Sequence, residues 1–201
     1  MNERMKSTLV LLVENKPGVL NRVVSLFRRR NFNMDSLTVG RTHRPDVSRM
    51  TIVMDTEGEN DAKKVIMNLY KMVDVIEVQD VTEVPNVKRD LALVKLSATN
   101  PGDRNSLTEI TYKYGARIVD IGPDVVIVEI TGEPAHVENT ITALEPFGIR
   151  EIARTGVVSL GRGVRTLRQV DYESKRSTRA ITYHNGNGTQ SIVQQDSPSQ
   201  D

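Results

Sequence analysis

Residues 7–20 have the sequence STLVLLVENKPGVL, in which a short apolar run leads directly into a turn. The run from Ser7 to Val13 is rich in Leu and Val and has the length of a buried β-strand. The following Asn15-Lys16-Pro17-Gly18 has the composition of a tight turn. Beyond the turn, four apolar residues recur at the spacing of one helix face: Leu20, Val23, Val24 and Phe27. The stretch therefore predicts a strand, a loop and a helix in immediate succession.

The residues after this helix predict two strands, a second helix and a fourth strand. Met34–Gly40 and Arg49–Asp55 are strand-like runs, and the polar segment 41–46 between them is typical of a hairpin loop. Asp61 can cap a second helix, whose apolar side comprises Val65, Ile66, Leu69 and Met72. The alternating stretch Val73–Val81 then predicts the last strand. The resulting order, βαββαβ, is that of a ferredoxin-like domain.

The second half repeats this order after a short linker at Glu83-Val84-Pro85-Asn86, where the apolar pattern lapses. Its predicted elements, in chain order, are a strand at Asp90–Ser97, a helix ending at Tyr114, strands at Ala116–Ile121 and Val125–Thr131, a helix from Pro134 and a strand from Ile149. We therefore expect an α+β fold with two consecutive ferredoxin-like βαββαβ domains, residues 1–82 and 83–162.

From Gly161 onward the sequence is rich in Ser, Gln, Asn, Thr and Gly and shows no apolar period. Such a composition buries too little surface to offset the entropy of ordering the chain. We predict that residues 163–201 form a polar, disordered tail. Gly161-Arg162-Gly163 lacks the full dinucleotide-binding fingerprint, and we interpret it as a flexible exit into the tail.

Composition and charge exclude several classes of function. Lys and Arg total 27 against 26 Asp and Glu, and a net charge of +1 gives no field that favours nucleic acid or a membrane surface. The chain has no Cys, and His43, His136 and His184 lie in separate segments, so we expect neither a metal site nor a His-based catalytic site. No apolar run approaches the roughly 20 residues of a membrane span and no signal segment is seen, so we expect a cytoplasmic protein.

The loop between the first strand and the first helix has the features of an amino-acid-binding site. The amides of Gly18, Val19 and Leu20 lie at the positive end of the helix dipole and can hold a carboxylate. Asn15 adds an amide for the carboxylate or the ammonium, and Asn33, at the start of the next strand, can add a second one. An ordinary turn with a helix cap explains the same residues, and the motif alone does not exclude it.

Three segments resemble the small regulatory subunits of acetolactate synthase in order and spacing: residues 15–20 with Arg22 and Val23, residues 31–39, and residues 48–52. The stretch from Ser7 to about Val84 is similar to an ACT domain, a βαββαβ module that binds amino acids at dimer interfaces. Residues 69–75, 89–95 and 152–158 extend the resemblance to about Arg162. The tail alone lies outside it.

The resemblance implies a regulatory chain without a catalytic site of its own. Its partner would be the catalytic large subunit of acetolactate synthase, a transferase of aldehyde and ketone groups. That subunit would carry thiamine diphosphate, Mg²⁺ and FAD, and this chain would carry no cofactor. The small subunit would raise the activity of the enzyme and make it sensitive to feedback inhibition by valine, in the biosynthesis of valine, leucine and isoleucine.

The resemblance also implies an effector site that two chains share in a homodimer formed through the ACT domain. Residue by residue, the site maps onto Asn15, Gly18, Val19 and Leu20 of one chain and onto Asn33 and Met34 of a neighbouring chain. Leu20 and Met34 would contact the aliphatic part of the ligand, and burial of an isopropyl group contributes roughly 1.5 to 3 kcal/mol.

Two other functions fit the element order less well. RNA-binding RRM domains share the βαββαβ order, but their central strands carry aromatic residues on which bases stack. Here the strands at Leu9–Val13 and Arg49–Met54 contain neither Phe nor Tyr. A different ACT-domain sensor, which regulates another enzyme or a transcription factor, is the remaining alternative.

Overall fold

A computed structural model describes residues 5–57, 59–98, 101–167, 180–185 and 188–193 of the chain. The chain divides into two compact units. One comprises Met1–Val87 together with Ser159–Asp201, and the other comprises Lys88–Val158. Each unit contains one of the two predicted βαββαβ sets, which confirms the α+β fold with two ferredoxin-like domains. Among the described residues, no helix is long and apolar enough to cross a membrane.

The first unit is a four-stranded antiparallel sheet with two helices. In chain order its elements are β1 (Met5–Glu14), α1 (Val19–Arg29), β2 (Met34–Arg41), β3 (Val47–Thr56), α2 (Glu59–Tyr70) and β4 (Val75–Asp80). The strand order is β2-β3-β1-β4, so β1 and β3 are central and β2 lies at an edge. All three neighbouring pairs are antiparallel.

Both helices pack on one face of this sheet. Alternate residues of the central strands supply that face: Leu9, Leu11 and Val13 from β1, and Met50, Ile52 and Met54 from β3. They pack against Val23 and Phe27 of α1 and against Val65, Ile66 and Leu69 of α2. The predicted apolar side of the second helix is therefore confirmed, although Met72 lies in the turn after the helix end, partly buried against the same core.

The buried side of α1 differs from the predicted one. It comprises Val19, Val23, Leu26 and Phe27. Leu20 is 43% exposed and Val24 is half-buried, although both belong to the predicted face. Both sets have helical spacing, and packing against the sheet selects between them.

The prediction that Asp61 caps α2 is wrong. The helix begins at Glu59, which places Asp61 inside its first turn. There the Asp61 carboxylate accepts hydrogen bonds from the backbone N–H of Glu57 at 3.2 Å and from Lys64 Nζ at 3.0 Å. The bond from Lys64 holds the pKa of Asp61 below its ordinary value. The predicted last strand also begins later, at Val75, because Val73 lies in the preceding turn and is 87% exposed.

The second unit repeats the architecture. Its elements are β5 (Asn86–Ser97), α3 (Pro101–Tyr114), β6 (Arg117–Ile121), β7 (Val125–Gly132), α4 (Pro134–Leu144), a 3₁₀ turn (Glu145–Phe147) and β8 (Ile149–Arg154). The strand order is β6-β7-β5-β8. A further strand, β9 (Val158–Gly161), pairs with β5, and all but its first residue belong to the first unit. The sequence did not predict β9. The core is formed by alternate residues of β5 and β7 with α3 and α4: Ala92, Val94, Leu96, Leu107, Val126, Val128, Ile130, Val137 and Leu144.

A buried ion pair joins two strands of the second unit. Asp90 on β5 is 3% exposed, and its Oδ2 accepts hydrogen bonds from Arg154 Nε at 3.1 Å and from Arg154 Nη2 at 2.5 Å. Arg154 Nη1 donates to Glu138 of α4 at 2.9 Å. Burial lowers the pKa of Arg154, but the hydrogen bonds to Asp90 and Glu138 outweigh it and raise that pKa. Arg154 of β8 therefore joins the central strand β5, through Asp90, to α4, through Glu138.

Most of the predicted tail lies outside the described residues: 168–179, 186–187 and 194–201. Its disorder there stays a prediction. Within the tail, two strands are described, β10 (Ala180–Asn185) and β11 (Gly188–Val193), and they pair antiparallel with each other.

We expect Arg154→Ala to destabilise the second unit by about 2 to 4 kcal/mol, because it leaves the Asp90 carboxylate buried without its cation. Arg117→Ala is the matched control. Arg117 pairs with Glu129 in the same unit, but its side chain is 72% exposed. Its removal should cost less than about 1 kcal/mol. Urea denaturation of both variants measures the two free energies of unfolding, and equal losses would contradict the role of the Asp90 pair.

Candidate functional site

The loop between β1 and α1 ends at a glycine in a left-handed conformation. Gly18 immediately precedes α1 and has φ +83°. A side chain in this conformation would be strained, which explains the glycine. No side chain caps the helix, and the first intrahelical bond runs from Arg22 N–H to Gly18 O at 3.0 Å. The Val19 N–H makes a long hydrogen bond to Lys16 O, at 3.4 Å. The amides of Gly18 and Leu20 lie at the positive end of the helix dipole, where an anion is favoured.

Hydrogen bonds to the hairpin loop before β3 and to the turn before β4 hold this loop. The backbone N–H of Asn15 donates to Asp46 O, and its side-chain Nδ2 donates to Pro45 O, both at 2.8 Å. On the other side, the backbone N–H of Glu14 donates to Asp74 O at 2.9 Å. One of the two side-chain N–H groups of Asn15 is thus engaged within the chain. Its Oδ1 remains the atom suited to accept a hydrogen bond from an ammonium group.

Arg22 is a site residue that the sequence analysis missed. A Cβ at Gly18 would lie 3.1 Å from Arg22 Nη1, so the guanidinium lies directly beside the glycine. Asp74 orients it, because Asp74 Oδ2 accepts from Arg22 Nε at 2.8 Å and from Nη2 at 2.7 Å. The spacing of four residues between Gly18 and Arg22 could have indicated this, since such residues share one side of a helix. The loop thus combines helix amides with a fixed cation.

The hairpin loop that holds Asn15 is itself fixed by an ion pair. Arg44 donates from Nε and Nη2 to the Asp46 carboxylate, at 3.2 and 2.7 Å. These hydrogen bonds keep the pKa of Asp46 below its ordinary value.

Asn33 and Met34 lie between α1 and β2. Asn33 Nδ2 donates to Asp55 Oδ2 at 3.2 Å and to Asp35 Oδ1 at 3.4 Å. Met34 is half-buried and packs against the core of the unit. Both residues line an open groove of about 1130 Å³, which α2 borders with Asp61, Lys64, Met67 and Asn68. The sequence analysis predicted no ligand contact from α2.

The two groups of predicted site residues lie at opposite ends of one sheet. Asn15 follows Glu14, which pairs with Val47, whereas Asn33 donates to Asp55, which pairs with Lys6. Lys6 and Glu14 are eight residues apart on β1, or roughly 25 Å. One chain therefore brings together Asn15, Gly18, Val19 and Leu20, but not Asn33 and Met34 with them.

The side chains around the α1 loop differ in what they can offer to a ligand. Leu20 presents an exposed aliphatic surface. Val19 is buried in the core, so only its backbone can reach a ligand. Within the described ranges no group of three His, Asp or Glu side chains could hold a metal ion. The loop is suited to hold a small carboxylate through amides and Arg22.

Two family models match the chain. A model described as the AHAS small subunit-like ACT domain matches residues 9–77, which contain the β1–α1 loop, and one described as the small subunit of acetolactate synthase matches residues 89–163.

Similar proteins include a probable acetolactate synthase small subunit from Archaeoglobus fulgidus, 46% identical over 79% of this chain and 98% of its own length. The acetolactate synthase small subunit of Bacillus subtilis is 42% identical over 79% of this chain and 92% of its own. A crystal structure of the acetolactate synthase small subunit from Thermotoga maritima superposes with a TM-score of 0.74 at 32% identity, over 80% of this chain and 99% of that one. The chain therefore belongs to the family of acetolactate synthase small subunits.

Proposed function

We propose that this chain binds the catalytic large subunit of acetolactate synthase, raises its activity and makes it sensitive to feedback inhibition by valine or a related branched-chain amino acid. The observation that carries the proposal is the start of α1, where Gly18 leaves uncapped helix amides beside the Arg22 guanidinium. Membership of the family favours this function over that of an ACT-domain sensor for another enzyme or a transcription factor.

The chemistry of the loop fits an amino acid. Its carboxylate would bind the amides of Gly18 and Leu20, and that of Val19 in place of its long bond to Lys16 O, with Arg22 nearby. Helix dipole and cation act together there. The ammonium would donate to Asn15 Oδ1. Leu20, which is exposed here, would take the aliphatic side chain, and this contact distinguishes valine from polar amino acids.

A second chain would complete the site. β2 is an edge strand, and two copies of β2 can pair antiparallel about a twofold axis. Such pairing inverts one sheet relative to the other, so the α1 loop of one chain would approach the end of the partner sheet that carries Asn33 and Met34. The separation of roughly 25 Å within one chain is the reason that a homodimer is needed.

The chemistry of acetolactate formation belongs, in this proposal, to the large subunit, with thiamine diphosphate, Mg²⁺ and FAD bound there and no cofactor on this chain. We place both subunits in the cytoplasm. Valine bound between two small subunits would favour an arrangement in which the large subunit is less active. Coupling of this kind is typically worth about 1 to 3 kcal/mol between the two sites.

We expect Gly18→Asp to raise the valine concentration for half-inhibition of the reconstituted enzyme at least about tenfold, while activation of the large subunit changes less than about twofold. The new carboxylate would pair with Arg22 and occupy the position of the ligand carboxylate. Gly115→Asp is the matched control. Gly115 also has a positive φ, of +63°, and open space around it, but it lies in the second unit. Valine sensitivity that stays unchanged in Gly18→Asp would rule out this site.

Mixed dimers test whether the site is shared. Asn15→Ala and Asn33→Ala should each abolish valine binding in their own homodimers. In a dimer that contains one chain of each kind, one site receives both substitutions and the other receives none. Isothermal titration should therefore recover binding at half the wild-type stoichiometry. No recovery in the mixed dimer would contradict a site built from two chains.

A further inference from the structure

The face of the first sheet opposite the helices is buried, although α1 and α2 both pack on the other side. On β1 this outer face comprises Thr8, Val10 and Leu12, which alternate with the residues of the helix-side core. All three are at most 3% exposed, and so is Val47 on β3. An antiparallel sheet often leaves such a face to solvent. Here residues of the same unit contribute to its cover.

One residue that covers this face lies beyond the part of the chain that matches the family. Leu12, Val47 and Ile76 form a buried apolar cluster on the outer face, and Leu167 packs against it. The small-subunit family model ends at residue 163. The Archaeoglobus fulgidus relative matches over 98% of its own length but only 79% of this chain. Leu167 therefore lies outside the matched family models, and we call residues 164–167 the C-terminal extension.

A tight turn directs the C-terminal extension back toward the sheet. Gly163 has φ +66°, and a Cβ on Gly161 would lie 2.9 Å from Arg165 O, so both positions require glycine. Arg162 anchors the turn, because its backbone N–H donates to Pro85 O and its Nε to Asn86 O, each at 3.0 Å. The sequence analysis interpreted Gly161-Arg162-Gly163 as a flexible exit, and the structure shows an anchored turn instead.

One further contact brings this end of the chain to the same face. Arg49, on the outer face of β3, donates from Nη2 to Ser159 O at 2.6 Å. Arg49 is half-buried, and desolvation by burial lowers the pKa of its guanidinium. Together with the cluster under Leu167, this contact shows that the covered area extends across β1, β3 and β4.

The residues under Leu167 are next to those that hold the α1 loop. Val47 follows Asp46, whose carbonyl accepts the Asn15 N–H. Ile76 lies two residues after Asp74, which accepts the Glu14 N–H and orients Arg22. Because Leu167 packs against Val47 and Ile76, it restricts the motion of the two segments that hold the loop, at Asp46 and at Asp74.

We propose that the C-terminal extension, through Leu167, is an intramolecular strap that covers the Leu12, Val47 and Ile76 cluster on the outer face of the first sheet and holds the β1–α1 loop in its binding conformation. Its effect on valine affinity rests on the proposed function, whereas its docking does not. Release of the strap would make the loop more mobile and weaken effector binding. The ligand would then have to order the loop itself, at a cost in conformational entropy.

Hydrogen–deuterium exchange of the full-length chain tests the strap without any ligand. Leu167→Asp places a charge against Leu12, Val47 and Ile76 and should speed exchange in residues 14–20, 42–47 and 74–76 about tenfold. Leu167→Ala keeps the surface apolar and should give a smaller increase in the same residues. Val164→Asp is the matched control, because Val164 belongs to the same extension and is 100% exposed. Exchange in the same residues of Val164→Asp should equal that of the wild-type chain.

The valine dissociation constant of the same variants, measured by isothermal titration, should rise about threefold in Leu167→Asp and stay constant in Val164→Asp. Exchange that is equal in Leu167→Asp and Val164→Asp would overturn the strap. A second outcome would also overturn the strap. If Leu167→Asp changes how readily the dimer dissociates but leaves exchange in the loop unchanged, the outer face is an interface with a second copy of the chain. If the wild-type chain binds no valine, the proposed effector function fails, and the exchange comparison still decides the strap.

Discussion

The first unit depends on the burial of β1 on both faces from Ser7 to Glu14. Leu9, Leu11 and Val13 pack under the two helices, and Val10 and Leu12 are equally buried on the opposite face. A strand that is buried on both faces has one possible register, because a shift by one residue would exchange its two faces. The position of Glu14 at its end is fixed in consequence. The loop that starts there therefore has a defined position relative to the ends of β3 and β4.

The candidate site arises from contacts across the sheet. Asn15 is held by the hairpin loop before β3, and Arg22 is held by Asp74 before β4. Both neighbours of β1 thus support one turn of chain, and the left-handed Gly18 lets that turn enter α1 without a capping side chain. Donors fixed in this way need little reorganisation when an anion binds, which is the physical advantage of building a ligand site on a sheet end.

The second unit uses the same element order with a different anchor. Its central strand β5 is tied to β8 by the buried pair of Asp90 and Arg154. A buried pair of this kind contributes mainly to a unique arrangement of the strands. The two units therefore share a fold and differ in the polar groups placed at the ends of their central strands.

The sequence by itself determined the order of the elements and the loop at the start of α1. Strand and helix periods are local, as are the conformational preferences of Asn, Pro and Gly in a turn, so both can be predicted from neighbouring residues. Tertiary structure alone decided which apolar residues of α1 are buried, that Asp74 orients Arg22, that Asn15 and Asn33 occupy opposite ends of the sheet, and that Leu167 covers Leu12. Each of these depends on residues far apart in the chain, whose contacts have no signature in local periodicity.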